Sequence, residues 1–390
     1  MLVKLGDIAE VLISNVDKKS KPNEKEIKLC NFVDVYKNYA ITDRMTSSFM
    51  VATASNQSIE KFTIKKGYLA ITKDSETRDD IGVGTYFADD FDNLLLGYHC
   101  ALIKPNNKLV YSKYLNAFIQ SNFVRKYYEL NASGSGQRYT LTLESILSTP
   151  ILLPDYDKQV LIGDMLSNTD HQIERNNLMV KKLQVLSQGI FNKFFSNETN
   201  HISLLDFPYI QIIKPGIDRF EGSKHYIATA EVDKDKVNYN APLIEYETRE
   251  NRANMQPVKN SVWFAKLKNS IKHIYVSNVD SMLCSNYIFS TGFAGIKCED
   301  IVYEYLIDFI NTSYFEMKKD ILSHGATMEG VNNDDLKSIQ IPLPSKDRLV
   351  DFHNKVKELH YQITKLNEQT FKLNDLKEKL LPLLINGQLI

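Results

Sequence analysis

The sequence of 390 residues lacks the features that mark several large classes of protein. Its 4 cysteines (Cys30, Cys100, Cys284, Cys298) are scattered, with no Cys-x-x-Cys pair. That spacing suggests neither a disulfide framework nor a cysteine zinc cluster. Charge of one sign is missing too: 47 basic side chains stand against 48 acidic ones, a net charge of −1. Such a chain cannot coat nucleic acid through bulk charge, although local basic loops could still bind it. No apolar run approaches the ~18–20 residues of a membrane span. The opening MLVKLGDIAEVLIS has no basic stretch leading into an apolar core, so no signal peptide is read there. The expectation is a soluble intracellular protein of the cytoplasm.

Catalytic motifs are equally scarce. There is no Gly-Lys dipeptide and hence no P-loop, no Asn-Pro-Pro or Asp-Pro-Pro tetrad of an amino-methyltransferase, and no His-Glu-x-x-His. Gly82-Val83-Gly84 and Gly134-Ser135-Gly136 lack the strand-turn-helix context of a nucleotide site and read as turns. His99, His225 and His324 lie near loops without a partner at ligand spacing. Asp79, Asp80, Asp89, Asp90 and Asp92 read as a solvated loop rather than a metal site. No catalysis, no metal and no cofactor of its own are expected of this chain.

What is present is an ordinary folding composition, 43% hydrophobic and 24% charged. The length exceeds the ~250–300 residues at which single cores stop growing. The chain repeats itself: residues 143–195 superimpose on 333–385 at a shift of 190. The first copy places Ile162, Leu166, Ile173, Val180, Leu183, Leu186 and Ile190 in a stripe; the second places Phe352, Val356, Ile363, Leu373, Leu376 and Leu380 in register with it. Steps of four and three make the heptad seam of a coiled coil. At 1.5 Å per residue each helix would be on the order of 55 Å long. An apolar seam must be buried, and the other copy offers a partner of matching period in an antiparallel pair.

Each helix is introduced by an apolar run closed by proline, Ile151-Leu152-Leu153-Pro154 and Ile341-Pro342-Leu343-Pro344, the pattern of a short strand stopped before a helix. Upstream, Tyr114–Ser121 lies over Tyr305–Thr312, and a glycine-containing loop follows each. The reading is an α+β protein with two pseudo-repeated mixed α/β domains: domain one at 1–154, a helix at 155–196, domain two at 197–344 and a helix at 345–390. Basic and polar side chains collect in loops, and their chemistry suits base edges and phosphates. In the first half they are Lys18, Lys19, Lys21, Arg44, Lys73, Arg78, Gln137, Arg138 and Tyr139. In the second they are Arg219, Lys224, Arg249, Arg252, Asn254, Lys266 and Lys268. Periodicity by itself leaves a generic protein-binding scaffold equally open.

Five features recur in one order: Lys4-Leu5-Gly6-Asp7-Ile8 at the start, glycine loops at 134–136 and 325–330, the strands ending at Pro154 and Pro344, Gln159 opening the first helix, and the helix ends at 180–186 and 373–381. Over essentially the whole length this order resembles the specificity (S) subunits of type I restriction–modification systems. The second copy departs from that pattern with Asp347-Arg348-Leu349 where the family usually shows Glu-Gln, and no Thr-Ala-Glu-Leu-type repeats follow Phe195. The resemblance implies two target-recognition domains, each reading half of a bipartite double-stranded DNA target. It implies a helix pair that sets the gap and docks two methyltransferase subunits, which would bind S-adenosylmethionine and flip out the target adenine. Restriction and translocase subunits would complete the complex. Service to a stand-alone methyltransferase is the alternative within the same family.

Overall fold

The computed structural model describes residues 1–134, 136–325 and 329–385. Ser135 of the first glycine loop and residues 326–328 of the second lie outside that set. Packing divides the chain into one unit of Met1–Arg175 with Lys372–Ile390 and another of Asn176–Phe371.

The first unit is built on a five-stranded sheet in the order Ala9–Ile13, Cys100–Pro105, Leu69–Thr72, Gly84–Phe87, Ala40–Ile41. Its central strands are apolar on both faces, so successive side chains enter two different cores. Leu69, Ile71, Ala101 and Ile103 pack under the helices Ser112–Ile119 and Asn122–Asn131, together with Ile162 and Leu166 of the first long helix. Ala70, Cys100 and Leu102 face the other way, onto Val35, Phe49 and Phe87. A three-stranded sheet of Met50–Ala54, Lys25–Cys30 and Leu94–Leu96 closes that side.

The second unit follows the same logic with a four-stranded antiparallel sheet, Ile210–Ile213, Phe293–Cys298, Ser261–Ala265 and His273–Val276. Val262, Phe264 and Ile296 pack with helix Tyr303–Ile310 and with Phe352 and Val356 of the second long helix. Trp263, Ala265 and Phe293 point into a separate core over the sheet that contains Tyr287–Ser290.

The apolar-proline runs form strands as expected. Pro150–Leu152 pairs antiparallel with Leu2–Lys4, and Gln340–Pro342 with His201–Ser203. Each is tied from above by a buried tyrosine: Tyr114 Oη donates to Leu152 O at 2.6 Å, and Tyr305 Oη to Pro342 O at 2.6 Å. Long helices then run over Tyr156–Phe195 and Lys346–Ile385. Gln159 is anchored at the first of them, donating to Pro154 O at 2.9 Å while accepting from Tyr111 N at 2.9 Å. At the matching place in the second stands Leu349, fully buried in the core.

Within each unit the stripe residues take different roles. Ile162 and Leu166 are buried with Leu380 packed against their cluster, while Ile173 and Leu373 are half-buried. In the second unit Val180, Phe352, Val356 and Ile363 are buried, and Leu183 and Ile190 are half-buried. Leu186 and Leu376, expected in the same stripe, are 52% and 46% exposed. After Leu183 the buried positions are Ser187, Phe191 and Phe195 instead. An α-helix turns every 3.6 residues, so a strict heptad drifts off the interior unless the helix supercoils. Among the described residues no helix is long and apolar enough to cross a membrane.

Candidate nucleic-acid interface

In the first unit a small three-stranded sheet gathers residues distant in sequence. Tyr139–Thr140 pairs antiparallel with both Ser133–Gly134 and Asp74–Ser75. Gly134 is required at its hairpin: its φ is +145°, and a Cβ there would stand 2.1 Å from Arg138 O. The sheet sets Lys73 and Asp74 against Arg138 and Thr140.

Asp74 is the hub. One carboxylate oxygen lies 2.6 Å from His99 Nδ1 and the other accepts from Thr140 Oγ1 at 2.7 Å. Lys73 Nζ reaches both at 3.0 Å, and Arg138 Nη2 stands 3.4 Å away. Burial would raise the Asp74 pKa, but hydrogen bonds from His99, Thr140 and Lys73 outweigh it and hold the group below the usual aspartate value. Arg138 Nη2 is also 2.8 Å from His99 Nδ1. That nitrogen cannot accept from Arg138 and donate to Asp74 at once; the 2.6 Å approach to the carboxylate requires the proton there.

Beside this hub lies a cleft of about 490 Å³, lined by Phe32, Tyr36, Asp74, Ser75, Glu76, Thr77, Asp80, His99, Gln137 and Arg138. Phe32 and Tyr36 stack at 5.7 Å, and the Arg78 guanidinium sits 5.0 Å over the Tyr139 ring. The fold thus brings together Lys73, Arg78, Gln137, Arg138 and Tyr139. It leaves Lys18, Lys19 and Lys21 on another loop, where Lys21 Nζ is 3.9 Å from both Asp17 and Glu24. Arg44 is exposed on the short turn Asp43–Met45.

The second unit shows two groupings. Arg249 lies 4.0 Å over the Tyr246 ring, with Arg219 at 6.0 Å from the same ring and Lys224 4.9 Å over Phe220. Arg219 also pairs with Glu247 at 2.6 Å. Separately, burial, and then the charge of Arg252, lower the pKa of half-buried Lys266. The backbone of Asn254 is tied into the same turn, donating to Arg252 O at 3.0 Å, and Lys268 pairs with Glu329.

Sequence reading missed His99, taken as a loop residue without a partner, because Asp74 reaches it only through sheet pairing. The one signal was an aspartate two residues past the end of the buried strand Leu69–Thr72. His225 and His324 do have local partners, Ala241 O at 2.6 Å and Asp335 at 3.4 Å. The acidic loop is structural: Asp80 accepts from Tyr36 Oη, Asp89 from Asp43 N and Asp90 from Lys66 N. Among the described residues no three His, Cys, Asp or Glu side chains are grouped to hold a metal.

Residues 1–184, which include the cleft and its hub, match the family described as the type I restriction modification DNA specificity domain. A curated relative, the specificity subunit of the type I restriction enzyme HindI from Haemophilus influenzae, is 28% identical over 192 residues, 49% of this chain and 39% of the relative. The match therefore spans about two fifths of that relative's length. The crystal structure of the type I restriction-modification S subunit from M. genitalium aligns over 98% of this chain and 95% of its own, with a TM-score of 0.57 and 13% identity. At that identity the likeness is one of fold. The chain thus shares a mixed α/β fold with long helices, the coarser part of what the sequence leads one to expect.

Proposed function

We propose that this chain is the DNA-specificity subunit of a type I restriction–modification enzyme, without catalytic chemistry of its own. The observation that carries the reading is the family match across 1–184, the stretch in which Lys73, Arg78, Gln137, Arg138 and Tyr139 converge. In this reading 1–154 and 197–344 are two recognition domains, and 155–196 and 345–390 are the helices that separate them. Duplication of one ancestral domain is supported by the matched tyrosine ties of Tyr114 and Tyr305. Matched caps support it too: Ser121 accepts from Val124 N and Thr312 from Phe315 N.

The two helices run antiparallel in this proposal. Asp170 pairs with Lys377 at 2.7 Å in the first unit. In the second, Asn176 meets Gln369 and Thr370, and Ser187 meets His360 at 2.9 Å. Partner numbers fall as helix numbers rise. A 40-residue helix is on the order of 60 Å long, more than one ~34 Å turn of DNA, which suits half-sites separated by several base pairs. Leu178, Met179, Val185 and Leu186 leave an apolar stripe exposed on the first long helix, a surface suited to a methyltransferase subunit. That partner, present twice, would hold S-adenosylmethionine, and restriction and translocase subunits would join the pair. The near-neutral net charge fits a subunit that selects sequence while its partners carry much of the phosphate binding.

Methylome sequencing of cells with and without the gene tests the role. A bipartite methylated-adenine motif with an unread gap should vanish on deletion. An unaltered methylome beside an expressed methyltransferase partner would falsify the assignment.

A further inference from the structure

We propose that Arg138 reads a guanine in the half-site bound by the first recognition domain. The proposal rests on the DNA-specificity reading and names the residue and base within it. The hub explains why Arg138 is available. Asp74 has roughly four lone-pair sites on its two oxygens. Thr140, His99 and the doubly reaching Lys73 already fill them, at 2.6–3.0 Å. Arg138 is left at 3.4 Å from the carboxylate, beside a His99 nitrogen that carries the shared proton. Most of its five N–H donors are therefore without an acceptor among the described residues. Its side chain is 59% exposed, at the rim of the cleft.

The walls decide which acceptor Arg138 takes. Asp74, Glu76 and Asp80 line the same cleft, against Arg138 as the one arginine or lysine among its lining residues. A phosphate would meet three carboxylates there and be repelled. The edge of a G·C pair presents the complementary pattern. Guanine N7 and O6 accept from a guanidinium fork, and cytosine N4 donates to a carboxylate such as Glu76. The Phe32–Tyr36 stack gives the cleft one rigid aromatic wall, and the planar guanidinium presents its fork as a unit.

The test uses the full chain in cells in which deleting the gene removes a bipartite motif. Arg138→Ala and Arg138→Lys each replace the wild-type copy, and the methylated motif is read again. Both variants should relax one guanine position of one half-site, with preference for guanine falling on the order of 10- to 100-fold, and leave the other half-site unaltered. Lysine fails in this role because it keeps the charge and loses the fork. A motif unchanged in both variants overturns the proposal. So does a uniform fall in methylation at an unchanged motif, restored by lysine, which is the behaviour of a phosphate contact. Loss of the whole motif in both variants, with melting of the purified chains near wild type, also counts against it. None of these outcomes touches the specificity role, which fails only if deletion itself removes no motif.

Discussion

The two units fasten a long helix to a mixed α/β body at equivalent positions by opposite means. In the first, Gly163 lets the helix approach the backbone of the Ser112–Ile119 helix so closely that a Cβ would stand 2.6 Å from Tyr114 N. Its neighbour Asp164 then accepts from Lys113 Nζ and Tyr111 Oη, both at 2.8 Å. In the second unit the residue 190 positions on is His353, which fills the equivalent space and meets Glu304 at 2.7 Å. One further step along, His360 shares Ser187 with Asp308, whose carboxylate accepts the Ser187 hydroxyl at 2.6 Å. All three of these side chains are buried. One unit thus omits a side chain and the other satisfies a chain of buried polar groups. The first arrangement depends on shape. The second depends on every partner being present, since a buried carboxylate stripped of its donor is costly.

Removing a partner in the second unit should have the largest effect. His353→Ala strands Glu304, 6% exposed, and should cost about 3 kcal/mol of stability. Amide exchange should accelerate in 176–371 and remain slow in 1–175; an unchanged denaturation midpoint would break the contrast. Filling the gap in the first unit comes next. Gly163→Ala must push the helix off the Tyr114 amide, and overpacking of this kind costs about 1–3 kcal/mol. Here accelerated exchange should be confined to 1–175, and a fully stable variant would mean that the close approach is not a constraint.

Acid should produce the smallest and most similar responses. Asp74 in the first unit and Glu316 in the second are partly buried carboxylates, yet both titrate below their ordinary values. For Glu316, burial pulls the pKa upward, and hydrogen bonds from His273 and Lys319 more than offset it. A depressed folded pKa means that the folded state holds its proton less tightly than the unfolded chain. The stability so gained is complete above the ordinary carboxylate value and drains away as pH falls through the lower folded one. Unfolding measured from pH 7 down to pH 3 should therefore show a loss that begins near the ordinary glutamate value of 4.5. Glu316→Gln should flatten that slope for the second unit alone.

These contrasts also explain what could be read from the sequence. The helices at Tyr156–Phe195 and Lys346–Ile385 were legible because proline punctuation and apolar period are local signals. The exposure of Leu186 was not, because a heptad extrapolates in straight steps while the buried side moves to Ser187. Lys73, Arg138 and Tyr139 could be named as loop chemistry one by one. Their shared dependence on Asp74 and His99 could not, because it arises from pairing between strands some 65 residues apart in the chain, as the Tyr139↔Ser75 register shows. The Gly163–His353 exchange was visible as two letters in an alignment of the halves. Its meaning needed the distance to the Tyr114 amide.

The first unit is discontinuous, and this governs the order in which the chain can finish on the ribosome. Its closing segment begins at Lys372, so Lys377 joins Asp170 across a separation of 207 residues and also covers the still earlier Tyr39 ring. Synthesis at ~5–20 residues per second puts roughly 10–40 s between the emergence of the two partners. During that interval the whole of 176–371 is made and can close on itself. The body translated first is thus the last to be completed, and a ribosome that stalls late damages the beginning of the protein.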